Sequence, residues 1–564
     1  MIMREEIKNL LEKSLKELQK EKIFPKFNIP EIQIEHPEEK AHGDYATNVA
    51  MVITKQIKKN PLEIANILGS RLKVLGDRLF EKIEVAEPGF INFFLSKECL
   101  QKEVGEILKR KEKFGQLKIG KGKKVNIEFC SANPTGPLHL GHGRGAFWGD
   151  TLANVLNKAG HKVTREYFIN DYGKQILLLG ESINARYREL LGQKVEIKEE
   201  FYKGEYIKDV AKEIVEKEGD KYLKMEEGSR VKILTEIGIK KMLEEAKKLL
   251  EKVGAKYDVW FSERSLYKKD LVKKGIELLK KKGFTYEKEG ALWFASTKFG
   301  DDKDRVLFRA DGEPTYFASD VAYHLDKVSR GYDLMINGWG ADHLGYKTRL
   351  MAAAKVLGFD KKLKIIVGQF VRLVENGKEI KMSKRGGTFV ALEDLISEVG
   401  PDVARFFFLM KSVDTHIDFN SDLAKEQSEK NPVYYIQYAH ARICSILRKC
   451  KMQKSKCKIT IKNLKLLTHP NELELIRQLI RFPEIVEDTA KDYQIQRIPQ
   501  YALDLATVFH QFYRDCRVLR SPEGAKEDRV GEKLSNARLA LVLATKTVLK
   551  NTLNLMGISA PEKM

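Results

Sequence analysis

The chain has 564 residues, 43% of them hydrophobic and 32% charged, with a formal net charge of +21. That length exceeds what one ordinary core can organise, so several domains are expected, and the composition excludes a disordered chain. No apolar run approaches a membrane span; the N-terminus, Met1-Ile2-Met3-Arg4, passes straight into an amphipathic helix without a signal core, and a cytoplasmic location with no membrane partner is expected.

The positive charge favours a polyanionic partner, because bound phosphates release counterions on contact. The lysines are spread beside many glutamates, however, as on any solvated surface. Cys99, Cys130, Cys444, Cys450, Cys457 and Cys516 are scattered with no Cys-x-x-Cys pair, and no protein metal site is expected.

Four regions follow in chain order. Residues 1–115 open with a helix whose Ile7, Leu10, Leu11, Leu15 and Leu18 share a face. A loop with Pro37 and His42-Gly43-Asp44, a second helix and alternating strands near 82–85 and 91–94 complete a small α+β domain. The lysine-rich stretch 109–124 reads as a linker. Residues 116–402 begin with a strand at 124–129, a turn-rich loop, a helix and a second strand near 162–167, which implies a right-handed parallel crossover. Strand patterns resume near 334–337 and 363–367, giving an α/β, Rossmann-like, doubly wound parallel sheet. Between these halves, about 183–305, lies a charged, mostly helical block read as an insertion; its 229–253 stretch is one long amphipathic helix stopped by Gly254. Residues 403–564 are almost purely helical in pattern, an all-α bundle.

The loop after the first strand reads Ser131-Ala132-Asn133-Pro134-Thr135-Gly136-Pro137-Leu138-His139-Leu140-Gly141-His142-Gly143. It delivers two histidines and two glycines to a helix N-terminus, where free N–H groups and a partial positive charge favour an anion. His139 and His142 share a helical face and can donate to a phosphate as charge builds, while Gly141 lets a base or ribose approach the backbone. Gly141-x-Gly143-x-Gly145 could instead be a dinucleotide loop, but its spacing is wrong; the histidines could be metal ligands, but no acid or cysteine partner lies nearby in sequence. Well downstream comes Lys381-Met382-Ser383-Lys384-Arg385-Gly386-Gly387, a solvated basic loop on a bland reading. On a functional one, a glycine hinge carries two ammonium groups over a pyrophosphate.

Four further residues suit a cationic, planar ligand. Glu128 ends the first strand, Asn133 follows in the loop, and Tyr316 and Asp320 are four apart on one helical face. Each has a duller alternative: Glu128 pairing with a lysine, Asp320 capping a helix, Tyr316 filling the core. Asp342 and His343, after the strand near Ile336, either contact ligand or shape their loop.

Together, His-x-Gly-His and Lys-Met-Ser-Lys resemble the two signatures of class I aminoacyl-tRNA synthetases. The resemblance implies ATP with Mg2+ as its complex, with His139, Gly141, His142 and Gly143 on the nucleotide. It places Lys381, Met382, Ser383 and Lys384 in the second ATP-binding loop, and His139, His142, Lys381 and Lys384 in catalysis. The string from Glu128 to Arg144 resembles arginyl-tRNA synthetases throughout, which implies that Glu128, Asn133, Tyr316 and Asp320 hold L-arginine. His42 to Asn48 and Glu87 to Asn92 are similar to that family's N-terminal domain, which contacts the tRNA elbow. Asn431 to Arg442 are similar to the start of its anticodon-binding domain. Two departures stand: both lysines of the second signature are kept where many members have lost them, and Trp339-Gly340-Ala341-Asp342-His343 stands where some carry a pocket glutamine. The expected reaction activates arginine with ATP and transfers it to tRNA(Arg), carried out by a monomer. Rival readings are a synthetase for lysine, glutamate or glutamine, a tRNA-binding module without catalysis, and a smaller nucleotidyltransferase.

Overall fold

The computed structural model describes residues 2–380, 390–452, 461–519 and 531–564. The first helix, Met3–Lys20, buries Ile7, Leu11, Leu15 and Leu18 along one face, as the spacing requires. It packs on helix Pro61–Leu75, which starts with the Asn60 side chain accepting from Leu62 N–H and a proline in the first turn. Strands β1 (Tyr45–Thr47), β2 (Phe80–Ala86) and β3 (Phe90–Leu95) complete this unit as an antiparallel sheet in the order β1-β3-β2. The stretch read as a linker is packed rather than loose. Phe114 is buried against Phe482, and Asn551 Nδ2 donates to the Lys111 carbonyl at 3.1 Å.

The central sheet contains β4 (Lys124–Glu128), β5 (Lys162–Ile169) and β6 (Val259–Ser262). A separate antiparallel sheet of β7 (Thr285–Lys288), β8 (Ala291–Phe294) and β9 (Arg305–Phe308) follows, and the central sheet resumes with β10 (Leu334–Gly340) and β11 (Leu363–Gly368). All four pairings of the central sheet are parallel, in the order β11-β10-β4-β5-β6. The chain therefore builds outward from β4 on one side and then returns to build on the other. The crevice at the carboxyl ends of β4 and β10 is the topological switch point, where sheets of this kind bind ligands.

The 183–305 block differs from its sequence reading. Helices Lys174–Leu190, Glu205–Glu218 and Glu227–Lys252 do form a helical unit with its own apolar core, and Gly254 ends it at φ +74°. The same block also supplies β6, the edge of the central sheet, with β7, β8 and the start of β9. A third small sheet, β12 (Val371–Glu375), β13 (Lys378–Ile380) and β14 (Ile417–Asn420), is ordered β13-β12-β14. Thus one strand lies inside the stretch read as almost purely helical: Phe419 and Ile417 turn inward while Asp418 stays exposed, a period-two pattern too short to compete with the helices around it. The remainder is a bundle of helices Pro432–Met452, Pro470–Ile480, Phe482–Asp492, Arg497–Asp515 and Glu532–Met556. Among the described residues no helix is long and apolar enough to cross a membrane.

Candidate active site

Beyond Glu128 the chain turns through Cys130 at φ +59°, a left-handed conformation rare for a residue with a side chain. Burial pushes the Cys130 thiol up to about 12, so it does not serve as a nucleophile. The loop is pinned from β5. The Tyr167 hydroxyl accepts from Ala132 N–H at 3.1 Å and donates to the Ala132 carbonyl at 3.2 Å, while Phe168 N–H donates to Ser131 Oγ at 3.0 Å.

The pinned loop delivers His139 as the N-cap of helix Leu140–Lys158. His139 Nδ1 accepts from Gly141 N–H, and His142 Nδ1 accepts from His139 N–H, both at 3.1 Å. The two rings stack with centroids 3.6 Å apart. This is a capping box built from imidazoles. Since both Nδ1 atoms accept, the proton of each neutral ring sits on Nε2, and that Nε2–H is its donor.

The two glycines of the motif separate here. Gly141 is exposed, and an added Cβ would meet only the ring of His139, at 3.1 Å. Gly143 is buried, and its Cβ would lie 2.6 Å from Leu392 Cδ1, so its smallness admits that leucine. Lys381, Met382, Ser383 and Lys384 lie outside the described residues, but their flanks do not. β13 ends at Ile380, and beyond the motif Ala391 pairs with His139 as an antiparallel bridge while Leu392 N–H donates to the Leu138 carbonyl at 2.8 Å. The chain returning from the second motif is thus tied to the first.

Next to the loop lies an acidic recess formed at the carboxyl ends of β4, β5 and β6 and by helix Tyr316–Ser329. Asp320 sits in that helix's second turn, past its cap Thr315, and its carboxyl makes no hydrogen bond among the described residues. Burial, reinforced by Glu128 and opposed by Arg349, raises the Asp320 carboxyl to about 7. Glu263, directly after β6, is 2% exposed, and its Oε2 has no hydrogen-bond partner. Burial first, then the nearby Asp320, raises Glu263 to about 8, against a hydrogen bond from Ser319. Tyr316 is exposed at the rim, four residues before Asp320, with its hydroxyl 3.1 Å from where a Cβ on Gly173 would lie. A buried carboxyl at Glu263 beside a half-buried one at Asp320, which Arg349 offsets only in part, makes a strongly cation-seeking recess.

Glu128 differs from Asp320. Its Oε2 receives the Lys327 ammonium at 2.8 Å and its Oε1 the Ser131 hydroxyl at 3.2 Å. Of the duller alternatives, then, Glu128 does pair with a lysine, whereas Asp320 is not a cap and Tyr316 is not core. Asn133 is exposed on the loop and donates to Gln175 Oε1 at 2.7 Å. Asp342 and His343 occupy an exposed turn past the carboxyl end of β10 and face each other at 3.5 Å. Sequence reasoning missed Glu263 because it missed β6. The run Val259-Trp260-Phe261-Ser262 was the available signal, and an acid directly beyond such a strand stands where parallel sheets bind ligands.

A parallel sheet with this switch point, and a histidine-capped helix beside it, define the catalytic unit of a class I aminoacyl-tRNA synthetase. Residues 103–418 match the family model for tRNA synthetases class I (R), catalytic domain. Residues 5–95 match the arginyl tRNA synthetase N terminal domain and 436–564 the DALR anticodon binding domain. The chain is 50% identical to the arginine–tRNA ligase of Carboxydothermus hydrogenoformans over 94% of either chain. It is 49% identical to that of Caldanaerobacter subterraneus over 100% of this chain and 99% of the relative. The solved arginyl-tRNA synthetase of Thermus thermophilus shares the fold, with TM-score 0.77, 22% identity and 100% of both chains covered. The chain belongs to the arginyl-tRNA synthetase family.

Proposed function

We propose that the acidic recess seats the guanidinium of L-arginine between Asp320 and Glu263, and that the chain activates this amino acid with ATP and transfers it to tRNA(Arg). One observation carries the reading: the buried, unpartnered Glu263 Oε2 beside Asp320, whose carboxyl stays raised despite Arg349. A planar fork of N–H donors satisfies two carboxylates at once, which the compact ammonium of lysine does less well. An acidic substrate such as glutamate would add charge of the wrong sign. Tyr316 supplies a flat wall at the rim.

Asp320 feels both Glu263 and Glu128, so the acids lead from the recess toward the histidine loop. In this reading the α-ammonium of arginine lies at Glu128 and Asn133 and its carboxylate faces ATP, with Asp342 and His343 at the outer edge. ATP lies over the open face of Gly141, beside Gly143, as its Mg2+ complex. The arginine carboxylate attacks the α-phosphate and pyrophosphate leaves. The Nε2–H groups of His139 and His142 stabilise the developing charge, and Lys381 and Lys384, with Met382 and Ser383, neutralise the leaving group. The 2′-hydroxyl of the terminal tRNA adenosine then attacks the acyl carbon, losing its proton as AMP departs. No protein nucleophile takes part.

The C-terminal bundle offers a cleft of about 1210 Å³ in which the Arg442 guanidinium stacks on Tyr438 and Tyr513, at 4.6 and 4.9 Å from their ring centroids. Arg448, Arg517 and Lys563 line the same cleft. Stacking planes among cations suit unpaired anticodon bases, while the N-terminal unit meets the tRNA elbow. The enzyme acts as a monomer in the cytoplasm. Incubating it with ATP, total tRNA and each labelled amino acid in turn tests the assignment. Arginine is expected to give the highest kcat/KM, and a higher value for any other amino acid overturns it.

A further inference from the structure

Lys327 is fully buried, and its surroundings admit only one arrangement of protons. Its ammonium lies 2.8 Å from Glu128 Oε2, 3.1 Å from Asn337 Oδ1 and 4.3 Å from the Tyr323 ring centroid. Glu128 and Asn337 are directly paired across β4 and β10, at the switch point of the sheet. An ammonium only donates, so Asn337 must present its oxygen to Lys327. Its Nδ2 then points at His324 Nε2, 2.7 Å away, which must accept. The remaining ring proton is on Nδ1, which donates to the Asp320 carbonyl at 2.7 Å. Burial, reinforced by Lys327, pulls His324 down to about 3, consistent with a neutral ring. The neighbouring acid on β5, Glu166, is already taken by Arg330 and by the Tyr323 hydroxyl at 2.6 Å.

From this geometry we infer that Lys327 is a positioning residue for the amino-acid substrate: one buried ammonium fixes the Glu128 carboxylate directly and, through Asn337 and His324, the backbone turn that carries Asp320. The two substrate-facing carboxylates, which come from different elements, are thereby referenced to a single charge. The same ion pair holds Glu128 away from the guanidinium end and leaves Asp320 and Glu263 as its acceptors. Misplacement of either acid is felt by arginine, whose guanidinium and α-ammonium are both cationic, and not by ATP, which meets neither.

This inference rests on the arginine pocket described above, and the experiment separates the two. Lys327→Met is expected to raise the KM for arginine by at least roughly tenfold, while the KM for ATP stays within about twofold. Lys327→Arg, whose fork can still reach Glu128 and Asn337, is expected to recover most of the loss. Adding Lys327→Met to Glu128→Gln is expected to cost much less than Lys327→Met costs alone, because the two residues act as a unit. Equal rises in both KM values, no rescue by arginine, or full additivity with Glu128→Gln overturns the proposal. If Lys327→Met does not fold, the double variant is compared with Glu128→Gln alone: an arginine KM within about threefold of Glu128→Gln supports the proposal, and a further rise of roughly tenfold overturns it. A wild-type arginine KM in Asp320→Asn and Glu263→Gln would instead remove the pocket itself.

Discussion

Lowering the pH is a direct perturbation of the proposed guanidinium site, because its two acceptors are held near neutrality in the free enzyme. A guanidinium binds the ionised pair, so each carboxyl that still holds a proton must lose it first. With Asp320 at about 7 and Glu263 at about 8, that requirement weakens arginine binding by ~1,000-fold at about pH 6 and by less than ~2-fold at about pH 8.5. The acids lie close enough to titrate as a pair, so the observable is the slope: the KM for arginine climbs steeply as pH falls below about 8, while the KM for ATP does not. The same linkage releases protons. At about pH 7 the two populations of bound proton, ~0.5 on Asp320 and ~0.9 on Glu263, imply release of roughly one proton or slightly more per arginine bound. Calorimetry in two buffers of different ionisation enthalpy measures that number, and Asp320→Asn is expected to lower it. An arginine KM that stays within threefold from about pH 6 to about pH 8.5, or binding without proton release, refutes the reasoning.

Three further outcomes follow from the same geometry. The Asp320 carboxyl is raised in the folded state, so ionising it favours the unfolded chain. Asp320→Asn should therefore gain stability over wild type as pH rises from about 4 to about 7, by at most ~4 kcal/mol and by less where water enters the recess; thermal melts across that range that stay parallel would contradict this. His142→Ala removes both the proposed phosphate donor and half of the imidazole cap. It is expected to lower kcat and kcat/KM together by about 100- to 1,000-fold and to cost about 1 kcal/mol of stability by denaturant titration; a rate within threefold of wild type removes the histidine from catalysis. Arg442→Ala should weaken tRNA binding without changing ATP-dependent steps, in an interaction that itself falls steeply with salt; unchanged affinity by filter binding removes the cleft from recognition.

The long strands and both motifs were legible because each is a local pattern. β4 alternates Val125 and Ile127 with polar residues, β5 carries Val163, Thr164, Tyr167, Phe168 and Ile169, both give way to turn residues, and the helix after His139 announces itself by its glycines. What was illegible is what only the third dimension joins. Val259-Trp260-Phe261-Ser262 is four residues following a charged helix, and no periodicity can be read from so short a run. With β6 hidden, Glu263 was one acid among many. Lys327 stands two helical turns beyond Asp320, on the same face, yet a fully buried lysine is rare enough that a surface reading wins by default. Glu128 shows the opposite case, where both readings hold at once. It is a paired, structurally satisfied carboxylate, and the pairing is what gives it a fixed place at the carboxyl end of β4, where the proposed pocket needs it.

The catalytic helix is also located from its far end. Arg405, on helix Pro401–Leu409, is completely buried; its Nε donates to the Met556 carbonyl and its Nη1 to the Val253 carbonyl, each at 2.7 Å, and its Nη2 bonds Asp150. Met556 ends the last helix of the C-terminal bundle, Val253 follows the long helix of the insertion, and Asp150 lies on the helix that begins at His139. The carbonyls at a helix C-terminus lack partners within the helix and carry partial negative charge, so one cation can satisfy two such ends and a carboxylate at once. Only a guanidinium does so in fixed directions; an ammonium would satisfy the charge without holding the angles. Gly557 confirms how tightly the joint is closed, since a Cβ there would lie 2.6 Å from Arg405 Cζ. The last helix of the bundle also bears Arg538 on the wall of the basic cleft. The helix that presents the two histidines and the helix that lines the cleft are therefore both referenced to one side chain, far from either surface and inaccessible to solvent.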